Sequence, residues 1–251
     1  MTVDIDFTRG LGDAALLQAR NSAAFWAATG RSRGHEVVDQ AGYLAVIGDQ
    51  RAGTRVLIQR PDLSNAEVAE ILALFDSAVG PVDAEDPFSA TDLGVTGMRH
   101  WRMPVMARIP GPVTLPAMEV VRVADEASLA AAERVVISGF GLSRFEPHRP
   151  GEMFPVTLLD EPGVAVFVAV VDGEVAGACV TVEDDGLGSH YWVGTPAGLR
   201  SRGVGRAVML GSLAALASVP VTLTASRLGR PLYESLGYVA ATDSTWWSST
   251  S

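Results

Sequence analysis

The sequence predicts an α/β (α+β) chain in which a sheet is layered with helices. Three observations carry that expectation. Apolar runs of strand length alternate with stretches of helical periodicity. An Asp-Gly pair joins two of the apolar runs, and a proline-rich break divides the chain into parts of similar length. The break is Ile109-Pro110-Gly111-Pro112-Val113-Thr114-Leu115-Pro116, which sustains neither a helix nor a central strand. Two domains of ordinary size are expected, 1–115 and 116–251.

In the first part, Asp13 to Ala28 reads as a helix ending at Gly30, followed by a hairpin from Tyr43 to Ile47 and Thr54 to Ile58. Ser64-Asn65-Ala66-Glu67 is a capping box, and the helix it opens carries Val68, Ile71, Leu72 and Phe75 on one face. The stretch from His100 to Met106 reads as extended and broken by Pro104. The second part begins with a strand, Met118 to Val123, and a helix from Asp125 carrying Leu129, Ala132, Val136 and Phe140. Val164 to Val171 and Glu174 to Val182 form a hairpin around Asp172-Gly173. A turn at Asp184-Asp185-Gly186 leads into a strand, Ser189 to Val193. A helix from Gly203, a strand Val221 to Ala225, a short helix Pro231 to Leu236 and a last strand Val239 to Trp247 complete the chain.

Composition narrows the function classes. The hydrophobic fraction of 48% and charged fraction of 19% are those of a globular chain. A net charge of −10 disfavours non-specific nucleic-acid binding and favours a cationic acceptor. Val164 to Val171 is too short to span a bilayer, and the acidic start Met1-Thr2-Val3-Asp4-Ile5-Asp6 lacks the features of a secretion signal. A cytoplasmic protein that engages neither nucleic acid nor membrane is expected. The lone Cys179 lies in an apolar strand and reads as a buried structural thiol. All 19 basic residues are Arg, so a phosphate is gripped either by Arg or by backbone N–H groups.

The segment that carries chemistry runs from Tyr191-Trp192-Val193-Gly194-Thr195 to Arg200-Ser201-Arg202-Gly203-Val204-Gly205-Arg206. It passes from a strand through a short loop into a helix opened by two glycines. Such a helix end exposes free backbone N–H groups at a positive dipole and is an anion site. A dinucleotide fingerprint needs a third glycine where Val208 stands, and a P-loop needs a Lys that the chain lacks. A glycine-rich helix start that merely packs tightly is the structural alternative.

Arg/Gln-x-x-Gly-x-Gly at a strand–helix junction resembles the signature of the GNAT superfamily of acyl-CoA-dependent N-acyltransferases. Many members place Val-x-Thr seven residues before the Arg, and Val193-Gly194-Thr195 sits so (200 − 193 = 7), with the intervening proline displaced by one, at Pro196. The resemblance implies that N–H groups from Ser201 to Arg206 hold the CoA pyrophosphate, and that Val193 to Thr195 pairs with the pantetheine amides like an added strand. A second segment, Ser226-Arg227-Leu228-Gly229-Arg230-Pro231-Leu232-Tyr233-Glu234-Ser235-Leu236-Gly237-Tyr238, resembles the family's Asn-x-x-Ala-x-x-x-Tyr-x-x-x-Gly-Phe motif. Ser226 takes the Asn position (233 − 226 = 7) and Gly229 the Ala position. The resemblance makes Tyr233 the acid that protonates the departing thiolate, a role for which a phenol's high pKa suits it. Its structural alternative is a packing aromatic.

The family resemblance implies a mixed, mostly antiparallel sheet flanked by helices, and acetyl-CoA as co-substrate. It implies no metal, an acceptor that is a small-molecule or peptide amine, and allows a homodimer. Residues 1–115 carry no second Arg-x-x-Gly-x-Gly; Asp92 to Gly97 is glycine-rich but leads into no helical pattern. That half reads either as a degenerate GNAT-like domain, giving two in tandem, or as an accessory α/β module. No general base stands out: Glu183, Asp184 and Asp185 suit a solvated turn, and His190 suits a surface position. Rival readings are a CoA-binding sensor without catalysis, O-acylation, and a longer acyl donor.

Overall fold

A computed structural model describes residues 13–95 and 97–249; residues 1–6 and Thr96 of the Asp92–Gly97 loop lie outside them. Asp13 caps α1 (Ala14–Ser32) by accepting from the N–H groups of Ala15 and Leu16. There follow β1 (Glu36–Asp39), β2 (Tyr43–Ile47), β3 (Thr54–Ile58), α2 (Asn65–Ser77), β4 (Val82–Asp86) and β5 (Met98–Arg108). Beyond the proline-rich segment come β6 (Val120–Arg122), α3 (Glu126–Phe140), β7 (Val164–Val171), β8 (Glu174–Asp184) and β9 (Leu187–Gly194). The chain ends with α4 (Val204–Ala215), β10 (Val221–Thr224), α5 (Arg230–Ser235) and β11 (Val239–Ser249).

All these strands join one sheet in the order β1-β2-β3-β4-β11-β5-β10-β9-β8-β7-β6, mixed and mostly antiparallel. Only β3–β4 and β9–β10 are parallel among the described pairings. The succession helix, three antiparallel strands, helix, parallel strand and final strand occurs twice, from α1 to β5 and from α3 to β11. The final strands are exchanged. β5 lies between β10 and β11, and β11 between β4 and β5.

The Asp-Gly hairpin forms as expected, with Asp172 and Gly173 at φ 52° and 82°, the left-handed pair a two-residue turn requires. Pro104, expected to break its strand, does not: it pairs with Asp243 in the middle of β5. Its carbonyl accepts from Ala225, just past the end of β10, so the edge that lacks an N–H faces the place where the neighbouring strand has run out.

Helix α1 belongs to the first half but seals the second. Phe25 and Trp26 are buried with Val136 of α3 and Val180 and Val182 of β8, and Phe25 stacks on Tyr191 at 3.9 Å. A fully buried Phe contributes roughly 2–3 kcal/mol, so this contact welds the halves together. Arginines extend the weld to the long connection between α3 and β7. Arg33 donates to the Met153 carbonyl at 2.7 and 2.9 Å, and Arg51 to the Arg144 carbonyl at 2.7 Å. The buried Glu133 of α3 holds the same connection from within, accepting from the N–H groups of Gly151, Met153 and Phe154 and from His148 Nε2.

Glu133→Ala would strand those donors without an acceptor. A loss of about 3 kcal/mol or more is expected in urea unfolding; a loss below about 1 kcal/mol would show that water replaces the carboxylate.

Candidate active site

The site forms where two parallel strands part company. β10 pairs with β9 only at Val221–Gly188 and Thr222–Ser189. Beyond Thr222 the chain stays paired with β5 alone, through Thr224–Val105 and Ala225 donating to Pro104. On its other side β9 follows β8 until Val180–Tyr191, then slips before resuming at Ala178–Gly194. Trp192 sits in that slip with φ 53°, a bulge that re-aims the strand end. The edge of Val193-Gly194-Thr195 therefore faces an opening where β10 no longer pairs.

A short helical turn (Ala197–Leu199) carries the chain from this edge to α4. Ser201 and Gly203 adopt φ 61° and 82°, and Gly203 is the helix cap with no side-chain bond to close it. Alternation of left- and right-handed residues turns successive N–H groups the same way. Among the described residues, none of the six N–H groups from Ser201 to Arg206 has a partner in the protein; Ala207 is the first to bond, to Gly203. A concave run of free donors at a helix start fits an anion such as a pyrophosphate.

Other residues brace the loop. Arg200 donates to the carbonyls of Thr195 (3.2 Å) and Gly139 (2.9 Å), tying it to the end of α3. Arg206 donates to Ser235 Oγ at 2.8 Å, joining α4 to α5, and Arg202 lies exposed. A Cβ on Gly205 would stand 3.5 Å from Thr195 Oγ1 and 3.6 Å from Leu232 Cδ2, so the strand edge, the α4 start and α5 converge there. Ser226 Oγ accepts from Gly229 N–H and opens α5. Tyr233 is packed with Val193 and the core beneath α4. Its ring lies on Gly229, where an added Cβ would come 2.9 Å from Cε2. That contact explains glycine at a position where the family motif has alanine. Burial pushes the Tyr233 phenol above its ordinary pKa, so it is protonated throughout the neutral range.

No protein-family model and no curated protein sequence matches this chain. Solved structures do. A GCN5-related N-acetyltransferase from Kribbella flavida superimposes with a TM-score of 0.61 at 18% identity, over 96% of this chain and 97% of that one. One from Sphaerobacter thermophilus gives 0.52 at 17%, over 93% and 91%. A GCN5-related N-acetyltransferase-like protein from Streptococcus suis gives 0.53 at 12%, over 84% and 87%. The fold is that of the GCN5-related N-acetyltransferases.

Within this GNAT fold the residues considered as bases fall away from the opening. Glu183, Asp184 and Asp185 are exposed at the start of β9, the opposite end from Gly194. His190 is not a surface residue but buried, pushed down to about 3 by burial and therefore neutral. Ser212 Oγ donates to the Val208 carbonyl at 2.8 Å, so it accepts from His190 Nε2 at 3.0 Å; Nδ1 then accepts from Tyr238 Oη at 3.3 Å. That chain is complete and ends on a backbone carbonyl. Cys179 is buried beside it, its thiol pushed up to about 12, as expected of a structural cysteine.

The corresponding loop of the first half is closed. At the start of α2, Glu67 accepts from Ser64 N–H at 2.8 Å and pairs with Arg60 at 2.7 Å, while Ser64 Oγ accepts from Glu67 N–H. The protein's own carboxylate takes one helix-start donor here, which no side chain among the described residues does at the α4 loop. No helix among the described residues is long and apolar enough to cross a membrane, and no cluster there could hold a metal ion.

Gly203→Glu would place a carboxylate among the free donors of the α4 loop, at its helix cap. Acetyl-CoA binding by calorimetry should vanish, with a loss of about 1–2 kcal/mol of stability from a side chain at φ 82°; unchanged affinity in the folded variant would mean that the loop binds no pyrophosphate.

Proposed function

We propose that the chain is an N-acetyltransferase that moves an acetyl group from acetyl-CoA to a primary amine by direct attack. The observation that carries this reading is the run of unpartnered N–H groups from Ser201 to Arg206, opening beside an unpaired strand edge whose Val193 packs with Tyr233. Acetyl-CoA supplies an activated thioester. Ser201 to Arg206 hold its pyrophosphate through the backbone, and Arg200, Gly194, Gly205, Ser226 and Gly229 shape the walls. Val193 and Thr195 offer backbone groups to the pantetheine amides and orient the carbonyl. Tyr233, kept protonated by burial, gives its proton to the departing sulfur.

Residues 1–115 act, in this reading, as a second GNAT-like unit that has lost its anion site and serves as scaffold for residues 116–251. The duplicated order of elements and the closed α2 loop support it. The acceptor is a small-molecule or peptide amine, suited to a chain of net charge −10.

Thiol release from acetyl-CoA, screened over free amino acids, polyamines, aminoglycosides and peptide N-termini, tests the reading. No calorimetric binding at millimolar acetyl-CoA would end it, and binding without thiol release would favour a sensor. Tyr233→Phe should lower kcat by roughly 10²-fold or more with cofactor affinity nearly intact. Gly229→Ala, which pushes a methyl against the Tyr233 ring, should lower kcat in the same direction and cost about 1–3 kcal/mol of stability. Unaltered turnover in both variants would remove Tyr233 from the chemistry.

A further inference from the structure

Transfer to an amine needs a group that takes a proton from the ammonium, and the second half offers none at the opening. The acidic turn stands at the far end of β9, roughly 20 Å from Gly194 at about 3.3 Å per residue. His190 is neutral with both ring nitrogens engaged. We propose that Glu85, contributed by β4 of the first half, is the proton acceptor, reached through the hydroxyls of Tyr191 and Ser22. The proposal rests on the acetyl-transfer reading above.

The groups are contiguous. Glu85 is 1% exposed on the sheet face that α1 covers. Ser22 Oγ donates to its Oε1 and Trp26 Nε1 to its Oε2, both at 3.3 Å. Gln18 Nε2 donates to Ser22 Oγ at 2.9 Å. Tyr191 stands on β9, two residues before Val193, and its hydroxyl donates to Asn21 Oδ1 at 2.8 Å with Ser22, Gln18 and Ser189 also within reach. Asn21 is anchored in turn to the Leu187 carbonyl at 2.9 Å. A polar seam thus runs from Tyr191, two residues before the Val193 edge, to Glu85. Three of its oxygens have no partner: Gln18 Oε1, Ser189 Oγ and Thr222 Oγ1, on residues 1%, 0% and 0% exposed. Ser189 and Thr222 are the last pair before β9 and β10 separate, so the unpartnered oxygens cluster at the fork.

The surrounding charges single out Glu85. Arg55 of β3 lies between the rings of Trp26 and Trp246 and pairs with Asp83 at 3.5 Å. Arg144 also pairs with Asp83, at 3.0 Å. Asp86 accepts from the N–H groups of Phe88, Ala90 and Thr91. Glu85 forms no ion pair among the described residues. Burial pushes its carboxyl up to about 7, against the pull of Arg55, Trp26 and Ser22 and with a push from Asp86. It is then ionised in part at neutral pH and ready to accept a proton.

The step balances. With the Tyr191 hydroxyl turned from Asn21 Oδ1 to the neighbouring Ser22 Oγ, the ammonium loses a proton to Tyr191 Oη, the Tyr191 proton passes to Ser22, and the Ser22 proton passes to the Glu85 carboxylate. The freed nitrogen lone pair forms the C–N bond; the C–S bond breaks as Tyr233 protonates the sulfur. The second nitrogen proton restores Tyr233, and Glu85 returns its proton to solvent. Glu85 touches no substrate atom and is a positioning residue whose protonation state sets the rate. The rate rises with pH through about 7 as the carboxylate forms.

Glu85→Gln keeps the shape and removes the proton acceptor. Thiol release is measured with two probes, ethanolamine, an ammonium at neutral pH, and hydroxylamine, already neutral there. Glu85→Gln should slow transfer to ethanolamine by about 100-fold or more, and to hydroxylamine by at least about tenfold less. The rise in rate near pH 7 should disappear. Equal losses with both probes, or an unchanged pH profile, overturn the proposal. A second readout needs no acceptor. Trp26 donates to Glu85, so tryptophan emission should change in one step near pH 7 in the natural protein and in Ser22→Ala, but not in Glu85→Gln. A natural protein without that step overturns the proposal; where it acetylates neither probe, this step decides. Acetyl-CoA calorimetry separates the two ideas: lost binding in the natural protein ends the transfer reading, whereas intact binding without the step ends only the Glu85 assignment.

Discussion

The exchange of β5 and β11 is the constraint on which the rest of the molecule depends. Each half ends in a strand that completes the sheet of the other, so neither half closes its own edge. With β11 removed, β4 and one side of β5 would present unpaired ladders to solvent, a costly and adhesive surface. The exchange also decides which side chains meet. Glu85 and Tyr191 belong to strands separated by β11, β5 and β10, yet both bond to adjacent residues of α1, Ser22 and Asn21. Neighbouring residues on a helix project about 100° apart, so the sheet must curl around α1 for this to happen.

What the curled sheet encloses is partly polar. Around Phe25 the contact is apolar and gives cohesion, but at Gln18, Asn21 and Ser22 the helix meets a glutamate, a serine and threonines. Such a seam costs stability wherever an oxygen lacks a partner. The opposite face shows that this is no general property of the fold. There the Tyr238–His190–Ser212 chain is fully satisfied and ends on a carbonyl. Cohesion is recovered at the periphery, where Arg33 and Arg51 grip the carbonyls of the α3–β7 connection; Arg33 stays charged although burial pushes it down to about 10.

Much of the fold, and of the second half above all, was legible in the sequence because its signals are local. Asp172-Gly173, the Asp125 cap, the Ser64–Glu67 box and the glycines before α4 each act within a few residues, and the structure has them where the pattern placed them. Pro104 was misleading because its tolerance depends on where β10 ends, a fact more than a hundred residues away in sequence. Strand β4 was not anticipated at all. Val82-Asp83-Ala84-Glu85-Asp86 carries three carboxylates in five residues, and only the arginine and tryptophans brought in by β3, β11 and α1 make its burial tolerable. The same disguise hid Glu85. Its significance lies in a neighbourhood assembled from both halves, whereas the loop from Ser201 to Arg206 carries its meaning in its own backbone.

Glu67 gives the α2 loop a ligand that never leaves. A carboxylate three residues from its own helix cap has an effective local concentration that no dissolved anion matches, so the Ser64 N–H is held by the chain itself. Among the described residues the α4 loop has no such side chain, and its donors from Ser201 to Arg206 stay free. Ligand stabilisation of the chain should therefore follow one saturation curve, growing as RT ln(1 + [L]/Kd) for a single site. The shared sheet passes that gain to both halves together. In the proposed reading, a repeated order of elements would thus report its surroundings through one half only, the other having its helix start capped from within.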